Sequence, residues 1–114
     1  MQTTRQNKIC RLIQQDMGDI FLREMKSVLG PSLISVTAVR ITPDLSIARV
    51  YVSIMVIGGG TPDSIMQLIR ENSSDLRRRL GTREGKQLRV IPQLEFYLDD
   101  TLDYMDNINR LLKQ

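Results

Sequence analysis

The chain has 114 residues, 41% hydrophobic and 25% charged, with a formal net charge of +3, which suits one domain with its own core. It has no histidine, no tryptophan and one cysteine, Cys10, which excludes the usual zinc sites, Ser/His and Cys/His nucleophile pairs and any internal disulfide. No apolar run approaches the ~20 residues that span a bilayer, and the opening MQTTRQNKIC lacks an apolar secretory core, so a reducing, cytoplasmic setting is expected.

Residues 1–29 read as one long helix. Thr3 or Thr4 can cap it. Ile9, Leu12, Ile13, Met17, Ile20, Phe21, Met25 and Val28 recur at helical spacing and predict a core-facing stripe, while Arg5, Lys8, Arg11 and Gln15 fall on the other side. Cys10 lies beside the stripe and reads as a small buried hydrophobe. Gly30-Pro31 ends the helix. A hairpin follows, with strands over 33–42 and 45–57 and a turn signal at Pro43-Asp44-Leu45-Ser46. In the second strand Ala48, Val50, Val52 and Ile54 alternate with Ile47, Arg49, Tyr51 and Ser53. The first set reads as buried and the second as a partly open face.

Gly58-Gly59-Gly60 precedes a helix with Thr61 as N-cap, Pro62 in the first position and Asp63 at the positive end of the dipole. A glycine-rich loop before a helix can cradle phosphate, but neither a Gly-Lys-Ser/Thr nor a GxGxxG spacing is present, so it reads as a plain loop. The stripe Ile65, Leu68, Ile69 breaks at Asn72-Ser73-Ser74 and resumes at Leu76 and Leu80. Two helical pieces meeting near Asn72 are expected, with Gly81 as the end. Residues 87–98 form a third strand, interrupted by Pro92, which places it at an edge or requires a bulge. Residues 101–112 read as a short amphipathic helix carrying Leu102, Met105, Ile108, Leu111 and Leu112. The expected organisation is a body over 1–98 and a short acidic tail over 99–114. Three strands cannot sandwich one another, so helices cover one face of the sheet in a two-layer α+β domain.

Charge is unevenly placed. Residues 1–98 hold 14 Lys/Arg against 9 Asp/Glu, and residues 99–114 hold 2 against 4. Between positions 77 and 89 stand Arg77, Arg78, Arg79, Arg83, Lys86 and Arg89 with one acid, Glu84. Such a run attracts polyanions, and the planar guanidinium fork suits phosphate; the same run is also what a solvated helix face looks like. Three adjacent arginines, at ~100° per helical residue, cannot all face one surface. Arg83 and Lys86 read as loop residues able to follow a phosphate backbone. The candidate set for contact with a polyanion such as nucleic acid is Arg77, Arg78, Arg79, Arg83, Lys86 and Arg89, followed by Arg5, Lys8, Arg11, Arg40 and Arg49.

Several blocks together resemble the ribosome-binding factor A family across nearly the whole chain. They are Thr4-Arg5-Gln6-Asn7-Lys8-Ile9, then Ser35-Val36-Thr37-Ala38-Val39-Arg40 running through Thr42-Pro43-Asp44-Leu45 into Ser46-Ile47-Ala48-Arg49-Val50-Tyr51-Val52-Ser53. The most specific is Leu88-Arg89-Val90-Ile91-Pro92-Gln93-Leu94-Glu95-Phe96, followed by Leu98-Asp99-Asp100-Thr101-Leu102. The resemblance implies a type II KH-like fold, in the order helix-strand-strand-helix-(kink)-helix-strand. It implies a bacterial, non-catalytic factor that binds free small ribosomal subunits and assists late rRNA processing and maturation, including in the cold. Its partners would be the small subunit and its rRNA, with no membrane, no small-molecule substrate, no cofactor, and a monomeric state. The family lacks the GxxG loop of KH domains and carries an Ala-x-Gly kink. Here Asn72-Ser73-Ser74 stands at the matching positions, and extra residues lie between Gly81 and Leu88. Without GxxG, binding must rest on Lys/Arg contacts to the backbone and on shape, which position RNA and read little sequence. With aromatics at 4%, base stacking is a minor contribution; Tyr51 and Tyr97 are the exceptions to consider.

Two rivals follow from the same residues. Asp99-Asp100-Thr101-Leu102-Asp103 has the DDxxD spacing of magnesium sites, although such acids equally cap a helix and oppose its dipole; no metal and no catalytic residue is expected. A protein-interaction module, binding through the tail helix or a sheet edge, is the alternative function. Titration with millimolar magnesium is expected to leave the NMR signals of residues 99–103 unmoved; saturable shifts there would revive the metal reading.

Overall fold

The alternation of apolar and polar residues in the central strand decides which face of the sheet is covered. Ala48, Val50 and Val52 are fully buried, while Arg49 between them is exposed. The computed structural model describes residues 4–57, 60–85, 88 and 90–99. In chain order the elements are α1 (Thr4–Arg23), α2 (Lys26–Leu29), β1 (Leu33–Ile41), β2 (Ile47–Met55), α3 (Pro62–Glu71), α4 (Ser73–Glu84) and β3 (Gln93–Leu98). The strands lie in the order β1-β2-β3, with β1 antiparallel and β3 parallel to β2. α1 packs mainly on β1, and α3 on β3, while α4 bridges α1 and β3. The result is the expected α+β, type II KH-like order, with the helices on one face of a three-stranded sheet. The tail expected over 99–114 lies outside the described residues from position 100 onward.

The core joins Ile13, Met17 and Ile20 of α1 to Val39 and Ile41 of β1, Val50 of β2, Ile69 of α3, Leu76 and Leu80 of α4, and Phe96 of β3. Cys10 is buried beside the α1 stripe. Phe21 and Phe96 meet edge to face at 6.2 Å. Gln6, buried at the start of α1, donates from Nε2 to the carbonyl of Ile41 at 3.1 Å and ties α1 to the end of β1.

The hairpin turn closes as the sequence suggests. Asp44 Oδ1 accepts from the Thr42 hydroxyl at 2.7 Å and from Ser46 N at 3.1 Å, and these bonds hold its pKa down. Leu45 takes a positive φ of 63°, a left-handed conformation that costs a branched residue ~1 kcal/mol. Its side chain packs on the core in return. β1 carries a bulge between Val36 and Ala38.

Three boundaries differ from the periodic reading, each because of contacts that only the folded chain makes. The first helix is not continuous to residue 29. α1 stops at Arg23, Met25 leaves helical geometry (φ −110°, ψ 8°) and a short α2 follows. The interruption buries Met25 and Leu29 and leaves Val28, the expected end of the stripe, exposed. The expected junction near Asn72 is present. Asn72 Nδ2 donates to the Leu68 carbonyl at 2.7 Å, the side-chain competition with the helix ladder that such residues provide. α4 does not end at Gly81 but runs to Glu84. Gly81 serves close approach instead, since a Cβ there would meet Ile91 Cγ1 at 3.3 Å. The third strand begins at Gln93, not 87. Pro92 has no N–H to offer, and pairing starts with Gln93 N donating to the Ser46 carbonyl at 2.8 Å.

The last turn of α4 buries a carboxyl. Glu84 is fully buried, and neither of its carboxyl oxygens accepts a hydrogen bond among the described residues. Burial first, then the nearby Asp16 carboxyl, push its pKa up to about 8. The folded state therefore holds a proton that an unfolded glutamate releases near 4.5, so stability falls as pH rises from about 4.5 to about 8. Glu84→Gln is expected to match the parent below pH 4.5. Its advantage should grow to the order of a few kcal/mol by pH 9, as read by urea unfolding at each pH.

Candidate nucleic-acid interface

α4 distributes its arginines around the helix, and the fold gives each a different neighbourhood. Leu76 and Leu80 face the core. At ~100° per residue, Arg77 and Arg79 flank that buried stripe on opposite sides and Arg78 stands outward. Arg78 is 69% exposed and pairs with Asp75 one turn earlier. Arg77 turns toward β3: its Nε donates to the Pro92 carbonyl at 3.1 Å and its Nη2 to the Ile91 carbonyl at 2.7 Å. It satisfies backbone oxygens of the segment that Pro92 keeps out of the ladder.

Arg79 and Arg83 turn toward α1. Arg79 Nη1 reaches Glu24 Oε1 at 2.9 Å and its Nε reaches Asp75 Oδ2 at 2.9 Å. Arg83 bonds Asp19 Oδ2 and Glu24 Oε2, each at 2.6 Å, with Asp16 Oδ1 at 4.0 Å. Arg83 therefore lies in a helix, where its fork is engaged on both sides by carboxylates, and not in a loop as its position after Gly81 suggests. These bonds to Arg83 and Arg79 hold the Asp19 and Glu24 carboxyls below their usual range. The positive field anticipated over 77–89 is reduced at this spot by acids that are 55 to 64 residues away in the chain. Lys86 and Arg89 lie outside the described residues.

The N-terminal candidates differ. Arg5, Lys8 and Arg11 are all exposed and three residues apart on α1, so they form one ridge. None of them has an ion-pair partner among the described residues. Arg5 and Lys8 border an open cleft of about 780 Å³ floored by Ile9, Leu12, Leu45 and Leu88. Arg40 and Arg49 oppose each other across β1 and β2 on the uncovered face of the sheet, where Arg49 Nε meets Glu95 Oε1 at 3.3 Å. The structure thus places the candidates in separate groups: the α1 ridge, the outward side of α4, the α1–α4 network, and the open sheet face.

Among the cations outside the candidate set, Arg70 has the most defined position. Arg70, exposed on α3, donates from Nη2 to the Phe96 carbonyl at 3.1 Å on the free edge of β3. It borders one small recess beside Ser73 and Leu94, and Arg77 borders the neighbouring one. The spacing of seven from Arg70 to Arg77 would place them on one side of a helix, but the break at Asn72 obscures that signal.

The sequence profile of the family described as Ribosome-binding factor A matches residues 5–112. This chain belongs to the ribosome-binding factor A family. It is 42% identical over 114 residues to Ribosome-binding factor A of Cytophaga hutchinsonii, covering 100% of this chain and 84% of that one. Among solved structures it is similar to the crystal structure of ribosome-binding factor A from Thermus thermophilus, with a TM-score of 0.67, 20% identity, and coverage of 82% of this chain and 94% of that one. A homology model of the Thermus thermophilus factor, fitted into the cryo-EM map of a 30S complex of that factor, matches with a TM-score of 0.60, 21% identity and coverage of 79% and 90%. At these identities the two structures establish the shared fold. Among the described residues no helix is long and apolar enough to cross a membrane, and no group of three or more His, Cys, Asp or Glu is placed to hold a metal ion.

The paired carboxylates carry a pH signature of their own. Their lowered folded pKa values add stability that is present above the unfolded values of 3.8 for Asp19 and 4.5 for Glu24, and that is lost as pH falls through the lower folded values. Arg83→Gln is expected to lower Tm by several degrees at pH 7, with the deficit vanishing in strong acid. Arg78→Gln should change Tm by no more than about a degree, as exposed pairs do. Differential scanning calorimetry against pH distinguishes the two.

Proposed function

We propose that this chain associates with free small ribosomal subunits and assists late rRNA processing and subunit maturation without catalysing a reaction, as a monomeric cytoplasmic protein. Family membership across residues 5–112 carries this reading. The fitted 30S complex of the Thermus thermophilus relative supports it, as does a surface with cations available to phosphate.

RNA contact rests first on exposed basic side chains that form no ion pair among the described residues. Arg5, Lys8 and Arg11 come first, because a ridge of three unpaired cations on a rigid helix presents charge at a spacing a phosphate backbone can follow. Arg78 is next, exposed but shared with Asp75. Arg77 keeps its positive charge while its N–H groups hold the segment before β3, so it contributes to the field more than to direct contact. Arg79 and Arg83 act through structure, holding α4 on α1. Arg40 and Arg49 form a separate group on the sheet, and Lys86 and Arg89 remain candidates from sequence. Without a nucleotide motif or a cofactor, any effect on maturation comes from occupying and stabilising an rRNA conformation, in which backbone contacts set position and shape sets selectivity.

Sedimentation with free small subunits, large subunits and whole ribosomes should show preferential retention on free small subunits; equal retention on all three would reduce the chain to a generic basic protein. In the same assay, replacing Arg5, Lys8 and Arg11 together with Glu should weaken binding at least tenfold. It should also lower the slope of log affinity against log salt by about 2, with Tm unchanged. Unaltered affinity and slope would remove the α1 ridge from the interface.

A further inference from the structure

The described helices bury one face of the sheet and leave the other uncovered, with an apolar centre and one apolar end among polar and charged residues. Its centre is Ala38 of β1, Tyr51 of β2 and Tyr97 of β3, which are neighbours across the three strands. The two tyrosine rings stack at 5.5 Å with 27° between their planes. At one end Leu33 and Met55 oppose each other at 49% and 62% exposure. At the other end Arg40 and Arg49 oppose each other directly, a like-charge pair that destabilises a sheet unless something offsets it. Glu95 offsets Arg49 in part. Arg40 has no acid partner among the described residues.

We propose that residues 100–114 fold back as an amphipathic helix that covers this open face. The exit of the chain supports it. Asp99 N donates to the Val52 carbonyl at 2.7 Å, and the Thr37 hydroxyl of the β1 bulge donates to Asp99 Oδ2 at 2.6 Å. The side chain of Asp99 thus reaches across β2 to β1 on the open face, the face Tyr97 also occupies. The tail that follows has the right pattern. On a helix, Leu102, Met105, Ile108 and Leu112 form one stripe, Asp106 borders it, and Asp103 stands opposite. Its reach fits as well. A helix over 101–112 is ~18 Å long, shorter than the ~30 Å of a nine-residue strand. Running back along β3, Asp106 is ~10 Å from Asp99. The Arg40–Arg49 pair, level with Glu95 in the register, is ~13 Å away. The acid that borders the stripe therefore arrives within side-chain reach of the two arginines, while Met105 arrives over the tyrosines. An RNA strand fits this face less well, because the carboxylates of Glu95 and Asp99 balance its two arginines.

The test uses the full-length chain, labelled for NMR. Nuclear Overhauser contacts are expected from the methyl groups of Met105 and Ile108 to the rings of Tyr51 and Tyr97. The double substitution Met105→Asp with Ile108→Asp should abolish them and move the amide signals of Ala38, Tyr51 and Tyr97, while those of Val50 and Ile69 in the core stay in place. Arg40→Glu should weaken the same contacts without unfolding the sheet. Absence of the contacts in the parent, with signal changes confined to the tail, would overturn the proposal. So would contacts that appear only between differently labelled copies, which would make a second chain the occupant. Shifts of Tyr51 and Tyr97 by a short RNA in a parent lacking tail contacts would likewise assign the face to RNA. None of these readings depends on small-subunit binding, so they stand or fall apart from it.

Discussion

α4 is the element on which the rest of this structure depends, because it must satisfy three neighbours at once. Leu76 and Leu80 close the core over the sheet. Arg79 and Arg83 fasten its flank to Asp19 and Glu24 of α1. Arg77 fastens the other flank to the backbone ahead of β3. Through that triple attachment α4 ties α1 to the segment that leads into β3. Glu84 shows how tight the arrangement is. The helix continues past Gly81 into the core, and a carboxyl is carried inside with it and kept protonated by burial.

The same attachment redefines the charge run. In the chain, 77–89 is a block of six cations facing one acid. In the fold, Asp19, Glu24 and Asp75 stand among those cations, so the ions with the best hydrogen-bond geometry are the least available to an outside polyanion. Charge that holds two helices together and charge that binds RNA are chemically identical side chains, and only their neighbours tell them apart. The ridge on α1, modest in sequence, becomes the more available surface because none of its cations forms an ion pair among the described residues.

Much of the architecture was legible from pattern because the signals were local. The period of two in β2, the Thr42-to-Ser46 turn, the cap at Thr61 and the break at Asn72 each involve residues within five positions of one another, where hydrogen-bond geometry and side-chain branching act directly. The misread boundaries had nonlocal causes. The end of α1 is displaced by the burial of Met25 and Leu29, the passage of α4 through Gly81 follows from close approach to Ile91, and the late start of β3 follows from pairing with Ser46.

The sequence by itself determined the layer arrangement, the covered face of the sheet, the absence of a histidine- or zinc-based active centre, and, through ordered motifs from end to end, the family. The first three follow from composition and periodicity and the family from the order of its motifs, all of which the chain carries whether folded or not. The tertiary structure alone decided which described cations are paired with acids, that Arg83 clasps α4 to α1, that the Glu84 carboxyl is buried with its pKa pushed up to about 8, and that the described helices leave one sheet face open with Asp99 aimed across it. Each of these depends on groups brought within about 4 Å from distant parts of the chain, and electrostatic energy at that range depends on the neighbours and on burial.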